Sequence, residues 1–392
     1  MNVLLCLLSP QHVPNLLSVH HFQPDRLILL ESAGMKAHRM AAHFLNALKL
    51  GGLDYEGRLT IQSLEAEDDL DSIRKSLQEA FGRFPSDAWT VNLTGGTKPM
   101  SIAAYEFFKA RGGRIIYTNV TRPAVIRNVI SGEAIECTHR PRIREFLAGY
   151  GFEFRKDAKT IQESESRASQ WSDCATLLAR HATGHSLVQL DEGERKKGRE
   201  KGLELSPERI APQIAPVIHN TLMQTIWKDN NAATKLSKYE VEFLTGGWLE
   251  VFFWDLLSRH ANELGLWDIR LGLEVGRNGD SATNEFDVTF MRQHALAMVE
   301  CKSGAQEHDP GSDILYKVEA VTRQFRAIRV QSFLATTGAK VLGADQQIKR
   351  TLRDRSDIYN CRILTTSTIQ DLARPSISAA EISNVLFSGN GG

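Results

Sequence analysis

Short apolar runs alternate with helix-length amphipathic segments along the first 150 residues. The runs Val3–Leu8, Arg26–Leu30, Arg58–Leu64, Trp89–Leu93 and Arg114–Val120 read as strands. The segments Val13–Phe22, Lys36–Leu50, Leu70–Phe81 and Pro99–Arg111 read as the helices between them, and Val125–Ile130 and Ala134–Thr138 as a further strand pair. Continuous apolar strands alternating with helices predict a parallel sheet covered on both faces, a doubly wound, Rossmann-like α/β domain. In such a sheet, ligands bind beyond the carboxyl ends of the strands, where strand order reverses.

From Phe152 to about Tyr239 the alternation stops. Arg155–Gln170 is polar, while Trp171–His181 and Ile210–Trp227 show helical apolar spacing. This middle part is expected to be a mostly helical connector or a small subdomain. Within it, Glu194–Lys201 reads ERKKGREK and carries a net charge of +3. A solvated loop is the ordinary reading of such a run, and a phosphate-contacting loop the functional one. The pattern changes again near Gly246, where Gly246-Gly247-Trp248-Leu249-Glu250-Val251-Phe252-Phe253-Trp254 opens an apolar helix. Asn284–Phe290 and Leu296–Gly304 then flank a polar turn near Arg292–Ala295 as the two arms of a hairpin.

Composition narrows the options. The 392 residues suggest two or three domains, and 42% apolar with 24% charged residues fits a chain with a real core. The 47 basic and 47 acidic residues give zero net charge, distributed as +2 over residues 1–148, 0 over 149–245 and −2 over 246–392. That balance argues against a protein that coats nucleic acid through overall basicity, and leaves local grooves open. Met1–Leu8 lacks the charged start of a secretory signal, and no stretch approaches a membrane span. Five cysteines without a CxxC pair point to a reduced, cytoplasmic protein without a structural zinc.

Two strand ends of the first domain carry unusual chemistry. After Trp89–Leu93 comes Thr94-Gly95-Gly96-Thr97-Lys98-Pro99-Met100. The glycines allow a tight turn and a close backbone approach, Thr97 suits a helix cap, and Pro99 suits the first turn. Free N–H groups, two hydroxyls and Lys98 at a helix start favour an anion. Ser9, Pro10 and Gln11 at the first strand end, with Asn15 one turn on, form a second polar cluster. Neither is a GxGxxG or GxxxxGK[ST] fingerprint, and a plain capped turn is the bland alternative.

In the C-terminal hairpin, Glu300 and Lys302 project from one strand face, and Asp287 on the preceding arm can lie beside Glu300. Two carboxylates and the Cys301 carbonyl make an all-oxygen site for Mg2+ or Mn2+. With a Lys to orient water and neutralise charge, this is chemistry for metal-assisted phosphodiester hydrolysis. Asp157-x-Lys159 and Glu194-x-Lys196 match the same acid-x-Lys pattern but lie in polar, strand-poor segments. The bland alternative for Glu300 and Lys302 is a surface ion pair. Glu250 falls among Phe253, Trp254 and Leu257 on its helix, where an acid wants a partner or snorkels to solvent. Arg323, Arg326 and Arg329, and then Lys349, Arg350, Arg353 and Arg355, read as solvated helix faces or as phosphate guides.

These motifs resemble two known families. The strand followed by Leu93-Thr94-Gly95-Gly96-Thr97-Lys98-Pro99-Met100 resembles the signature of CRISPR-associated Rossmann-fold (CARF) sensor domains, over about residues 1–148. The resemblance implies a homodimer that binds a cyclic oligoadenylate, taken as cyclic tetra-adenylate, across its two-fold axis. It assigns ring contacts to Thr94, Gly95, Gly96, Thr97 and Lys98, joined by Ser9 and Gln11. Gly246–Glu250, Asn284–Val288 and Glu300-Cys301-Lys302 are similar to the PD-(D/E)xK nuclease half of CARF-fused effectors. By that likeness Asp287 and Glu300 bind metal, Lys302 serves the attacking water and Glu250 is an accessory acid, while Glu285 could substitute or assist. The Gln-x-x-x-Tyr element of some relatives is missing, since Gln324 is followed by Ile328.

The resulting expectation is a CARF-like domain over 1–148, a helical connector over 149–239 and a nuclease-like α/β domain over 240–392. Its activity would be ligand-activated endonuclease cleavage of DNA and/or RNA in type III CRISPR defence, dependent on Mn2+ or Mg2+. The alternatives are a ligand-sensing regulator whose nuclease half is a scaffold, and a free-standing restriction or repair nuclease with an unrelated sensor.

Overall fold

A computed structural model describes residues 1–119, 125–277, 279–304 and 330–388. The apolar runs of the first 150 residues form a seven-stranded sheet. Its strands are β1 (Asn2–Leu7), β2 (Arg26–Glu31), β3 (Leu59–Ser63), β4 (Ala88–Asn92), β5 (Arg114–Asn119), β6 (Val125–Asn128) and β7 (Ala134–Glu136). The order is β3-β2-β1-β4-β5-β6-β7, with β1 to β5 parallel and the last two antiparallel. Strand order reverses between β1 and β4, so the Ser9–Gln11 and Thr94–Lys98 ends meet at the switch point. Helices Leu70–Gly82 and Lys98–Lys109 cover one face, around Val3, Leu5, Val91 and Phe108. Helices Val13–Phe22, Met40–Leu50 and Ile143–Ala148 cover the other, around Leu4, Cys6, Phe44 and Phe146.

The segment read as a single helix over Lys36–Leu50 is two. Ser32 caps Ala33–Ala37 by accepting from the Met35 amide at 3.4 Å, and Arg39, at φ 54°, turns the chain before Met40–Leu50.

The second sheet is mixed. Its strands are β8 (Phe152–Phe154), β11 (Leu266–Arg277), β12 (Thr283–Arg292), β13 (Ala295–Lys302), β14 (Gln331–Thr336) and β15 (Cys361–Leu364), and the short β9 (Leu203–Leu205) and β10 (Thr234–Leu236) pair separately. β8 pairs antiparallel with β11, so the chain enters this sheet directly after the helices of the first domain. The helix Ala158–Arg180 starts on Asp157, whose carboxylate accepts from the Thr160 amide at 2.7 Å. Its apolar half, with Cys174, Ala175 and Leu178, shares one core with Leu222, Trp227, Leu249, Phe252 and Val299. The opposite face of the sheet, through Leu273, Val275, Met291, Leu296 and Met298, shares its core with Phe44, Ile143 and Phe146 of the first domain. Among the described residues, no helix is long and apolar enough to cross a membrane, and all five cysteines are free and buried.

ERKKGREK is a helix, Glu192–Lys201, and not a loop. Asp191 and Glu194 each bond the other's backbone amide, at 2.8 and 3.0 Å, and this reciprocal cap fixes the start of a segment whose Glu, Arg and Lys residues already favour a helix.

His12 sits between these layers, buried against Phe146 and Tyr150, and neither ring nitrogen has a hydrogen-bond partner among the described residues. Burial, eased by Glu145 and reinforced by His43, pushes its pKa down to about 3. The folded value lies below the unfolded one, so between pH 6.5 and 3 the unfolded chain binds the extra proton and stability falls as pH drops. Going from pH 7.5 to 5 is expected to cost about 2 kcal/mol through this group. Urea midpoints at the two pH values should therefore converge in His12→Leu, and an unchanged gap would refute the assignment.

Candidate functional site: a sensor turn and a carboxylate cluster on one hairpin

At the switch point the Thr94–Lys98 turn is shaped by backbone needs. A Cβ on Gly95 would lie 2.0 Å from the Leu7 carbonyl oxygen at the end of β1, and Gly96 has φ +72°. Thr97 caps Lys98–Lys109 by accepting from the Met100 amide at 3.4 Å, and its hydroxyl donates to the Glu67 carbonyl at 3.0 Å. Thr94 donates to Asn92 Oδ1 at 2.6 Å and accepts from the Thr118 amide at 2.7 Å, so much of its hydroxyl capacity serves the sheet. Asn15 lies in the same buried network. Its amide donates to the Leu7 carbonyl at 2.8 Å, and its oxygen accepts from Asn92, which also bonds Ser18. A satisfied buried network of this kind fixes the strand ends rather than offering itself to solvent. Ser9 donates to the Gln11 carbonyl at 3.0 Å, and Lys98 is exposed at the mouth of the turn.

A cavity of about 500 Å3 opens below this turn. Gln11, Thr94, Tyr117 and Thr118 line one wall, and Arg292–Ala297 line the other. The second wall is the turn of the β12–β13 hairpin, where Gln293 and His294 both have positive φ, at 50° and 60°. The sensor cavity therefore borders the same hairpin that carries the carboxylates at its far end. Three residues of strand, roughly 10 Å, separate Ala297 at the cavity from Glu300.

The hairpin register pairs Val288 with Val299, which sets Asp287 opposite Glu300. Lys302 follows on the face shared by Leu296, Met298 and Glu300. Lys302 Nζ lies 2.9 Å from Glu300 Oε1 and 3.8 Å from Asp287 Oδ2, and the Cys301 amide donates to Asp287 Oδ2 at 2.6 Å. A residue's N–H and C=O point to the same side of a strand, so the Cys301 carbonyl faces that side too. Glu300 is only 5% exposed. Burial alone would lower the Lys302 pKa, but Asp287 and Glu300 outweigh it and hold the group charged.

Glu250 reaches this cluster from the helix Trp248–Arg259. The preceding turn, Phe243–Gly247, is π-helical, and Gly246 at φ 149° bends the chain into the helix, its carbonyl accepting from Ser303 at 3.4 Å. Such a local widening of a helix is frequent at functional sites. Burial first, then the negative charges of Asp287 and Glu242, raise the Glu250 pKa well above the ordinary carboxyl range, against the pull of Lys302. Glu285 is drawn aside by Lys156, at 3.5 Å, which also holds Glu274 at 3.0 Å. The other acid-x-Lys pairs have different work, since Asp157 is a cap and Glu194 pairs with Arg209 at 2.7 Å.

The helix Glu192–Lys201 supplies neighbours that the sequence pattern did not attach to this site. Arg199 donates to Thr245 through its backbone and side-chain oxygens, both at 2.8 Å, and Arg195 lines a small pocket with Thr245, Ser303 and Gly304 directly after Lys302. The net charge of ERKKGREK was the available signal, but only packing shows where it points. Arg323, Gln324, Arg326 and Arg329 lie outside the described residues. Arg350 begins the helix Arg350–Ile358, is largely exposed, and pairs with Asp354 at 4.0 Å.

A doubly wound sensor with a cavity at its switch point, sharing a core with a mixed sheet whose hairpin carries an acid–acid–Lys cluster, defines a small-molecule sensor joined to an endonuclease. Residues 3–146 match the model of the Card1 CARF domain, and residues 237–362 match that of the Card1-like endonuclease domain. The chain belongs to the CARF-domain effector nucleases that carry a Card1-like endonuclease domain.

Among solved structures, the chain is similar to Can2 from Sulfobacillus thermosulfidooxidans in complex with cyclic tetra-adenylate. That match has 20% identity and a TM-score of 0.68, covering 95% of this chain and 98% of the other. Protein VC1899 from Vibrio cholerae gives a TM-score of 0.71 at 14% identity, covering 95% and 96%. A type III CRISPR defence DNA nuclease activated by cyclic oligoadenylate matches at 0.50 and 18%, covering 85% and 45%. At these identities the likeness is one of fold. No curated protein sequence matches the chain.

Proposed function

We propose that this protein is a homodimeric, cytoplasmic endonuclease of type III CRISPR defence, which a cyclic oligoadenylate switches on. Its nuclease half would be a PD-(D/E)xK site that cleaves DNA and/or RNA with Mn2+ or Mg2+. The observation that carries the reading is the convergence of Asp287, Glu300 and Lys302 at one end of a hairpin whose turn borders the sensor cavity. The scaffold alternative would not need an intact acid–acid–Lys set at that place.

The donor set fits a hard divalent cation. Asp287, Glu300 and the Cys301 carbonyl offer oxygen only, and the Glu250 carboxyl, raised first by burial and then by Asp287 and Glu242, stands beside them as a further oxygen donor. Bound there, such a cation would polarise a phosphoryl oxygen and lower the pKa of its water. Asp287 and Glu300 would hold it, with Glu250 as accessory acid. Lys302, kept as an ammonium, would orient the attacking water and neutralise charge developing on the phosphoryl group. Arg195 and Arg199 would position a backbone phosphate without reading sequence.

In the sensor, the backbone amides of Gly95 and Gly96 and the Lys98 ammonium would receive one phosphate edge of the ring, with Gln11, Ser9 and Thr94 beside it, while the Thr97 amide donates to Met100 Sδ at 3.4 Å within the helix cap. Activation requires that the ring bind the active arrangement more tightly than the resting one. The β12–β13 hairpin is the element that touches both sites. Supercoiled plasmid and labelled single-stranded DNA and RNA, incubated with Mn2+ with and without cyclic tetra-adenylate, test the proposal. Cleavage is expected only when both are present. Equal cleavage without the ring would remove the sensor from the mechanism, and no cleavage of any substrate would remove the nuclease.

A further inference from the structure

The cavity beneath the Thr94–Lys98 turn takes its walls from both domains, and its chemistry differs from that of the turn above it. Five carboxamides line it, Gln11 and Asn119 from the first domain and Gln293, Gln331 and Asn360 from the second. The ring of Tyr117 stands beside them, 50% exposed. Among the described residues no carboxylate lines the space, and its volume of about 500 Å3 falls in the range of small-molecule pockets. An amide-rich space with an aromatic face and no acid is a poor site for a metal ion. It suits a nucleobase, which stacks on an aromatic ring and exchanges hydrogen bonds with amides along its edge.

The β12–β13 turn shows which of these amides is placed for a ligand. A two-residue hairpin turn with both residues at positive φ favours Asn-Gly, because most other side chains are strained there. Here the two residues are Gln293 and His294, at φ 50° and 60°. The His294 side chain has a structural task. Its Nε2 lies 3.1 Å from the His139 carbonyl oxygen, and its ring meets Trp267 edge-on with centroids 5.5 Å apart. Arg292, just before the turn, lays its guanidinium over the Phe387 ring at 4.0 Å. The Gln293 side-chain amide lines the cavity and has no hydrogen-bond partner among the described residues. Backbone strain of this kind gathers where a side chain serves a ligand, and Gln293 is the strained residue here whose side chain has no structural task.

Given the ring-sensing role proposed above, on which this inference rests, we propose that a purine base of the ring enters this cavity, where Tyr117 stacks on it and Gln293 of the endonuclease domain reads its edge. A carboxamide matches adenine: its oxygen accepts from the N6 amino group while its NH2 donates to N7. Guanine and hypoxanthine present O6 at that place, so an acceptor would face an acceptor. Thr94 joins the cavity to the turn, so one ligand can reach Gly95, Gly96 and Lys98 with a phosphate and the cavity with a base. The base would touch both domains at once, Gln11 and Tyr117 on one side and Gln293 on the other. The ring would then bind most tightly where the β12–β13 turn closes on the first domain, which is the differential affinity that a ligand-driven shift requires.

Binding of cyclic tetra-adenylate and of cyclic tetra-inosinate to the full chain, followed by calorimetry without divalent cation, tests this apart from any cleavage. The wild type is expected to prefer the adenylate ring by about 10–100-fold. Gln293→Gly should erase most of that preference by weakening adenylate binding, while the melting temperature stays the same or rises, since glycine suits φ 50°. A purely structural role for Gln293 would move the melting temperature and leave the preference in place. Tyr117→Leu should weaken the binding of both rings about 10-fold. Wild-type affinity and preference in Gln293→Gly would overturn the base site and leave ring sensing standing. A wild type that binds neither ring would overturn ring sensing, and the base site with it.

Discussion

Lys302→Ala should lower ring-stimulated cleavage by about 10²–10⁴-fold, the range associated with losing a group that acts on the proton or charge of the reacting water. The argument rests on its surroundings. Asp287 and Glu300 hold the ammonium 3.8 and 2.9 Å away and keep it charged despite burial. Removing it leaves two carboxylates facing each other, so divalent-cation binding should persist or tighten while turnover collapses. A thermal shift with Mn2+ that survives in Lys302→Ala, beside lost cleavage measured on labelled substrate, is the expected pair of results. Glu300→Gln should lose both. Retention of cleavage by Lys302→Ala would reduce the Glu300–Lys302 contact to an ion pair.

Gly95→Ala should abolish activation by the ring while leaving the nuclease site intact. The new methyl group would meet the Leu7 carbonyl oxygen at 2.0 Å, which is backbone that a rotamer change cannot relieve. The turn must therefore move away from β1, and the amides that follow it, with Lys98, move too. The buried Asn15–Asn92–Thr94–Thr118 network beneath it has little slack, because each member already bonds the next. Binding of labelled cyclic tetra-adenylate is expected to fall at least about 100-fold, a loss near 2.7 kcal/mol, comparable to strain at one special backbone position. The Mn2+ thermal shift should match wild type. Wild-type ring affinity in Gly95→Ala would show that the turn does not contact the ligand.

Much of this was legible in the chain. The strand and helix alternation of residues 1–150, the switch point at Thr94–Lys98 and the hairpin around Arg292–Ala295 follow from periods of apolar residues and from turn chemistry, which are local properties. Asp287, Glu300 and Lys302 could be placed together because side chains alternate across a strand and a hairpin fixes which residues oppose. The helix break at Arg39 was not legible, since it depends on a single left-handed residue. The helix Glu192–Lys201 was misread because a charged run is ambiguous until its cap is recognised, and Asp191 and Glu194 are that cap.

What only the tertiary structure decided is who touches whom across the chain. That Glu285 is held by Lys156, that Arg195 and Arg199 lie beside Ser303 and Thr245, and that His20 meets His139 and Glu145 are pairings over separations with no period to reveal them. The same holds for the shared core that sets the hairpin turn under the sensor cavity. Sequence by itself determined the elements, the motifs and their chemistry, because these depend on neighbours along the chain. Their meeting in one assembly was decided by burial of the two sheet faces against common helices, which is a property of the whole fold.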